Sequence, residues 1–216
     1  MLIRLVSLLL LLSLGACTQP GLIPASADNS TPVAVSSAVQ VDYGTAVAHM
    51  AAGDFSAAVT QWQALAAQTP ADPLVYANMA LSYYHLQKYE QGLQVLADFT
   101  QVSDTASRLH SAAPDTPHPA MADTCATFKV AALLQRQQGL FQHAAQSYQQ
   151  AAECAPEDAD IPYNLGILYD LYLQDLEQAL QQYRRALELL PDNEQLTRWV
   201  TDVERRLSRQ LAGGNS

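Results

Sequence analysis

Residues 163–191 read YNLGILYDLYLQDLEQALQQYRRALELLP, and this stretch decides the fold. Its apolar residues recur at helical spacing before and after residues 173–175, which predicts two helices joined by a turn. The small Ala179 allows the two helices to approach closely, and the large Tyr183 fills the space toward the next helical pair. Pro191 ends the second helix, because proline lacks a backbone N–H and clashes with the preceding turn. The stretch therefore predicts a complete helical hairpin.

The same hairpin pattern occurs four times along the chain. Its small residue recurs at Ala58, Gly92, Ala144 and Ala179, in steps of 34, 52 and 35 residues. The middle step exceeds 34 by 18, and residues 103–120 form a segment of that length with three prolines, so we expect an inserted loop there. The final step has one extra residue, which we expect in the turn near residues 173–175.

These spacings resemble the tetratricopeptide repeat family, whose unit is a helix–turn–helix of roughly 34 residues. The resemblance implies an all-α fold, an α-solenoid of four repeats at residues 40–72, 73–106, 122–156 and 158–191 within a domain spanning 40–211. We expect a capping helix at 194–211, since a terminal repeat needs a cover for its apolar face, and a disordered tail at 212–216. The alternative is a generic helical bundle with alanines at these positions by chance.

The N-terminus resembles a lipoprotein signal. Arg4 precedes an apolar run that ends at Leu14-Gly15-Ala16-Cys17, which is similar to a bacterial lipobox. The resemblance implies cleavage of residues 1–16, lipidation of Cys17, and a flexible linker over 17–39 that is rich in Pro, Ser and Thr. An Asp directly after the lipidated cysteine would resemble an inner-membrane retention signal, but Thr18 stands there. We therefore expect the protein to be anchored in the outer membrane, facing the periplasm. An ordinary secretory signal is the alternative.

The charge balance excludes some classes of partner. The 216 residues carry 21 acidic and 11 basic side chains, a net charge of −10. Nucleic acid is excluded as a partner, because phosphate binding needs a concentrated basic face. No Lys or Arg lies between Arg136 and Arg184, whereas seven acids do: Glu153, Glu157, Asp158, Asp160, Asp170, Asp175 and Glu177. These acids either keep the surface soluble or form an acidic patch for a basic partner.

The family resemblance also implies a binding groove lined by the first helix of each repeat. The groove candidates are Asn78, Leu81, Tyr84, His85, Lys129, Leu133, Arg136, Tyr163, Asn164, Ile167 and Asp170. Asn78 and Asn164 occupy the same repeat position, where an amide could clamp a peptide backbone or simply bond the neighbouring helix. Lys129 and Arg136 are expected to face Asp160 and Asp170. A basic clamp for a C-terminal carboxylate is not evident, so a peptide or helix with apolar anchors is the expected ligand.

Cys125 and Cys154 remain after lipidation of Cys17. They fall at opposite ends of the third repeat, and those ends lie side by side in an antiparallel hairpin. Because the periplasm is oxidising, we predict a Cys125–Cys154 disulfide. Two small buried thiols are the alternative.

The sequence contains no catalytic motif of the hydrolase, metalloprotease or phosphate-loop type. His110, Asp115 and His118 could ligate a metal, but their spacing matches no metal signature. We therefore expect no enzyme activity, no cofactor, no metal and no small-molecule substrate.

Together, these features predict a lipid-anchored periplasmic scaffold that binds a protein partner in a cell-envelope assembly. The resemblance suggests pilus or secretion assembly, TonB-type energy transduction or peptidoglycan synthesis as client machinery. The alternative is a pilotin-like lipoprotein that escorts a secretin to the outer membrane.

Overall fold

The structure, a computed structural model, describes residues 37–112 and 121–213. Within these two ranges every regular element is helical. The helices are α1 (Ser37–Ala51), α2 (Phe55–Gln68), α3 (Pro73–His85), α4 (Tyr89–Ala112), α5 (Met121–Gln137), α6 (Phe141–Cys154), α7 (Asp160–Ile167), a π-helix (Leu168–Leu173) that continues α7, α8 (Leu176–Leu189) and α9 (Glu194–Gly213). The prediction of an all-α fold is confirmed.

The helices form four hairpins followed by a single helix. The pairs are α1 with α2, α3 with α4, α5 with α6, and α7 with α8. Successive hairpins pack through α2 on α3, through α3 and α4 on α5, and through α6 on α7, while α9 packs on α8. Each hairpin thus covers the apolar face of its neighbour, which is how a solenoid builds its core. Helix α9 buries Leu196 and Val203, as a cap requires.

Each hairpin turns through one residue with a left-handed backbone. The φ angles are 78° at Gly53, 57° at Gln87, 75° at Gly139 and 56° at Gln174. The two glycines adopt this conformation without a Cβ clash. In the first and last turns, the next residue caps the second helix: Asp54 accepts a hydrogen bond from the Ala57 N–H at 3.1 Å, and Asp175 accepts one from the Gln178 N–H at 3.0 Å. These caps set the start of α2 and α8.

The core depends on large side chains that lie against small ones. Trp62, Tyr148 and Tyr183 are the largest fully or almost fully buried residues, with 0, 0 and 2% of their surface exposed. Gly166 shows how closely α7 and α8 approach, because a Cβ there would lie 2.4 Å from the ring of Tyr183. The predicted division between small contact residues and large filling residues therefore matches the packing.

The extra residue of the fourth repeat lies within the first helix, so its expected placement in the turn is wrong. Nine positions separate Asn78 from Gln87 in the second repeat, whereas ten separate Asn164 from Gln174 in the fourth. The turn after Gln174 has the same length as the others, and the added residue falls in the π-helix Leu168–Leu173. A π-helix closes its hydrogen bonds over five residues instead of four, so it absorbs one inserted residue without breaking the helix.

The inserted segment is also more helical than expected. Helix α4 continues to Ala112, so the first ten residues of the predicted loop at 103–120 are helical. Residues 103–112 contain neither proline nor glycine, so nothing in them interrupts a helix. Pro114 is the first proline of the segment, and a proline disfavours the helical conformation of the residue before it. Residues 113–120 lie outside the described residues.

Both chain ends differ slightly from the expected boundaries. Helix α1 begins at Ser37, inside the predicted linker, and α9 extends to Gly213, two residues into the predicted tail. No helix in the described ranges combines the length and the apolar character needed to cross a bilayer. The signal segment, Cys17 and the linker up to residue 36 lie outside the described residues.

Candidate functional site

The first helices of the third and fourth repeats meet through polar contacts. The Lys129 ammonium lies 2.6 Å from a carboxylate oxygen of Asp158 and 3.7 Å from one of Asp160. Arg136 donates a hydrogen bond to Oδ1 of Asn164 at 3.3 Å. The predicted approach of Lys129 to Asp160 is therefore present, and Asp158 is its nearer partner.

Three predicted groove residues lie in the core instead of on a binding surface. Asn78, Leu81 and Leu133 have 0, 1 and 4% of their surface exposed. The Asn78 amide donates to the Leu74 carbonyl at 3.0 Å and to the Tyr43 hydroxyl at 3.2 Å. Asn78 therefore joins α3 to α1, and the interpretation of it as a peptide clamp is wrong in this structure. The repeat pattern cannot distinguish these roles, because coverage depends on the neighbouring hairpin.

Asn164 occupies the same repeat position but stays half-buried. Its amide donates to the Asp160 carbonyl at 2.7 Å, and its oxygen accepts from Arg136. The side chain thus lies at the surface between α5 and α7.

Tyr84 and His85 lie partly exposed at the end of α3. The Tyr84 hydroxyl accepts a hydrogen bond from the Gln137 amide at 3.1 Å, which links α3 to α5. The His85 ring stacks on Phe55, with centroids 4.3 Å apart and planes 8° from parallel. Both rings therefore lie at boundaries between repeats.

Tyr163 and Ile167 pack against the C-terminal cap. The ring of Tyr163 lies 5.4 Å from that of Trp199 in α9, and Ile167 contacts the same apolar cluster. The protein's own last helix therefore contacts this part of the predicted groove through Trp199.

Asp170 holds the cap and does not face Arg136, so that expected pairing is wrong. Its carboxylate lies 2.6 Å from the Arg206 guanidinium of α9 and accepts a hydrogen bond from the Tyr183 hydroxyl at 3.4 Å. Burial and the Asp170 carboxylate both raise the pKa of Tyr183. The hydrogen bond to Asp170 likewise raises the pKa of Arg206. Asp170 is thus a structural residue that fastens α9 to the fourth repeat.

The two cysteines of the third repeat form a disulfide. Their Sγ atoms lie 2.03 Å apart and their Cα atoms 5.8 Å apart. The bridge joins the first turns of α5 to the last turn of α6, at the open end of the hairpin. It closes the third repeat immediately after the insertion.

An exposed apolar surface escaped the sequence-based prediction. Leu140 and Tyr172 are exposed at the turn ends of the third and fourth repeats, and Leu171 next to Tyr172 is the most exposed of the three. The Phe141 ring contacts the Tyr172 ring, with centroids 4.5 Å apart. The signal that could have located this surface was the one-residue excess of the fourth repeat.

No group of three metal-ligating side chains lies close together in the described part of the chain. Asp115 and His118, two of the three residues considered as metal ligands, lie outside it.

Residues 43–101 and 130–194 match the family model for the tetratricopeptide repeat. This match covers more than half of the chain, which therefore belongs to the tetratricopeptide repeat family. No curated protein matches the chain.

Several solved structures share the fold. A crystal structure of MamA is 13% identical, covers 77% of this chain and 81% of its own, and has a TM-score of 0.59. MamA from Desulfovibrio magneticus RS-1 is 14% identical, covers 83% and 91%, and has a TM-score of 0.60. MamA AMB-1 is 20% identical, covers 80% and 91%, and has a TM-score of 0.55. At these identities the likeness concerns the fold alone.

The fold defines the protein as a scaffold for protein–protein interaction. Tetratricopeptide repeat proteins are generally non-catalytic, and the comparisons indicate no enzymatic family.

Proposed function

We propose that the protein is a lipid-anchored scaffold of the outer membrane that docks a protein partner in a periplasmic envelope assembly. The observation that carries this proposal is a lipobox-like sequence, Leu14-Gly15-Ala16-Cys17, placed upstream of a tetratricopeptide solenoid. Diacylglycerol and N-acyl chains on one cysteine provide stable anchoring, whereas a single chain does not. The segment between Cys17 and the start of α1 at Ser37 then separates the solenoid from the lipid surface.

The disulfide supports the proposed compartment. Cys125 and Cys154 lie at bonding distance, and structural disulfides persist in oxidising compartments such as the periplasm. With Cys17 lipidated, the remaining two cysteines pair with each other and leave no free thiol.

The anchor is tested by replacing Cys17→Ser in the full chain. Wild-type protein should incorporate labelled palmitate and sediment with the outer membrane, and the variant should do neither. The matched control is the Cys125→Ser/Cys154→Ser double variant, which should still be labelled. Labelling of the Cys17→Ser variant, or an unlabelled wild type in the soluble fraction, contradicts the anchor.

The partner is tested by affinity capture of the anchored protein from native envelopes. We expect specific recovery of components of one assembly, whether for pili or secretion, TonB-type transduction or peptidoglycan synthesis. Loss of secretin rings after deletion of the gene would favour the pilotin-like alternative, because secretin subunits would then need this protein to reach the outer membrane. Capture of no envelope protein above the background of an unrelated lipoprotein contradicts the scaffold role.

A further inference from the structure

The turn end of the third and fourth repeats carries an exposed apolar surface, here called the turn-edge patch (Leu140, Phe141, Leu171 and Tyr172). The exposed fractions are 41% for Leu140, 63% for Leu171 and 45% for Tyr172. The contact between Phe141 and Tyr172, at 4.5 Å, joins the turn of one repeat to the π-helix of the next. Single exposed apolar residues are ordinary, but neighbouring ones from two repeats indicate an interaction surface.

The π-helix that contains the inserted residue also carries Leu171 and Tyr172. In the second repeat, the residue two before the left-handed turn is His85, which stacks on Phe55 and stays half-buried. Tyr172 is the corresponding residue of the fourth repeat and contacts Phe141, but its ring is tilted by 31° and it is exposed. The helix before it carries one more residue, and Leu171 beside it has most of its surface in water. π-helical turns of this kind recur at functional sites.

The fourth-repeat side of the turn-edge patch is acidic. No Lys or Arg occurs between Arg136 and Arg184, and the exposed Asp175 and Glu177 follow directly after the π-helix. The adjoining turn of the second repeat carries one base, Lys88, and one acid, Glu90, and Arg136 lies in the last turn of α5 before Leu140. Other acids of this region are already engaged: Asp158 by Lys129, Asp170 by Arg206, and Glu157 by Arg185. Asp175 and Glu177 therefore give the rim beside Leu171 and Tyr172 a negative charge, whereas Arg136 lies on the third-repeat side.

We infer that the turn-edge patch docks an apolar segment of the partner protein that is flanked by Lys or Arg. The apolar side chains would cover Leu171 and Tyr172, and the basic residues would face Asp175 and Glu177. A second copy of this chain fits less well, because it would bring the same acids to the contact. An anionic lipid surface would be repelled for the same reason. This inference rests on the proposed scaffold function and names the chemistry of its partner.

Two synthetic probes test the inference with the mature, anchored protein in detergent. Both are 14-residue amphipathic peptides with the same Leu and Trp face, and their polar positions are all Lys in one and all Glu in the other. At low salt the Lys peptide should bind at least about tenfold more tightly by fluorescence anisotropy, and the difference should shrink as salt screens the charges. Equal affinity of the two peptides overturns the inference.

Surface variants locate the binding. Leu171→Ser and Tyr172→Ser should each weaken binding of the Lys peptide by about tenfold, and Glu177→Gln by about threefold. The matched control is Leu190→Ser, because Leu190 is 40% exposed beyond the end of α8, away from the turn-edge patch. The control should bind like wild type. The inference is overturned if Leu171→Ser leaves the affinity for the Lys peptide unchanged, or if Leu190→Ser lowers that affinity by the same factor.

Deletion of Leu171 tests the role of the inserted residue, because it restores the nine-residue spacing of the second repeat. We expect a folded protein that binds the Lys peptide as weakly as Leu171→Ser. If the deletion variant does not fold, the point variants decide. Self-association that Leu171→Ser abolishes, or binding to anionic vesicles, would assign the turn-edge patch to another occupant and overturn the inference. Envelope capture that Leu171→Ser leaves unchanged would overturn this inference and preserve the scaffold role.

Discussion

The second and fourth repeats share residues at equivalent positions but use their first helices differently. Asn78 and Tyr83 lie 86 residues before Asn164 and Tyr169, and both tyrosines accept a hydrogen bond from a glutamine of the preceding repeat. Beyond the first helix the offset becomes 87, as Gln87 and Gln174 show. The two left-handed turns remain alike, with φ angles of 57° and 56°.

One inserted residue explains the difference between the two helices. The π-helix absorbs the insertion, so the residues on either side stay in register: Tyr169 matches Tyr83 at an offset of 86, and Tyr172 matches His85 at an offset of 87. The offset changes at Asp170 and Leu171. There Asp170 binds the cap and Leu171 lies in water, whereas Tyr84 of the second repeat contacts α5. A shared repeat position therefore predicts the path of the backbone better than the role of the side chain.

The largest expected effect tests whether equivalent repeat positions contribute equally to stability. Trp62 of the first repeat and Tyr148 of the third lie 86 residues apart, and both are fully buried. Trp62→Ala and Tyr148→Ala should each lower the free energy of unfolding by about 3–5 kcal/mol, because each leaves a large cavity. Urea unfolding followed by circular dichroism measures the change. A loss below about 1 kcal/mol at one site would show that the two positions are not equivalent.

The disulfide Cys125–Cys154 lies in the second half of the solenoid, and the described part of the first half contains no disulfide. The Cys125→Ser/Cys154→Ser variant should lower the free energy of unfolding by roughly 3–4 kcal/mol, because the bridge closes a loop with a sequence separation of 29. Urea unfolding with and without reductant measures this effect. Reductant should not change the double variant, and an unchanged wild type in reductant would contradict the bridge.

The helix crossings of the second and fourth repeats both contain a glycine. Gly166→Ala should cost about 1–3 kcal/mol, because its Cβ would lie 2.4 Å from the buried Tyr183 ring. Gly92→Ala should cost less, since its Cβ would lie 2.9 Å from the Leu134 methyl groups and 3.2 Å from the Ala80 carbonyl oxygen, which are longer distances. Gly44→Ala in α1 is the control, because nothing lies within 4 Å, and it should be neutral or slightly stabilising. Thermal melting ranks the three variants, and equal melting points would contradict the crossing geometry.

The smallest effect concerns the buried tyrosines at high pH. Burial raises the pKa of Tyr148 and of Tyr183 above the ordinary value of 10.0. The folded protein therefore keeps these protons when the unfolded chain releases them. Their contribution to stability is complete below pH 10 and is lost above it, at up to about 1.4 kcal/mol per pH unit for each group.

Tyr148→Phe provides the matched variant for this pH dependence. The Tyr148 hydroxyl is buried without a hydrogen-bond partner in the described chain, so its removal should change stability little at pH 7. Unfolding free energies measured from pH 9 to 11 should fall less steeply in the variant. The same slope in both proteins would contradict the raised pKa of Tyr148.

The hairpin pattern was predictable because it is local. Small residues at helix crossings, large buried residues and prolines after the second helices recur at steps that the chain itself displays. The position of the inserted residue was harder to predict from the sequence, because spacing alone does not distinguish a longer turn from a π-helix. The hydrogen bonds of Leu168–Leu173 decide between the two.

The residues of the candidate site were the least predictable. The sequence placed Asn78 and Asn164 at the same repeat position, and both lie in the first helix of their repeat. Tyr43 of α1 and the core of the first two repeats cover Asn78, whereas Asn164 meets Arg136 at the surface. Periodicity thus establishes the helices, their pairing and their stacking, because local spacing determines which side of a helix is apolar. Burial, ion pairing and exposure at each position arise from the neighbouring hairpins and the cap, which come together only when the chain is folded.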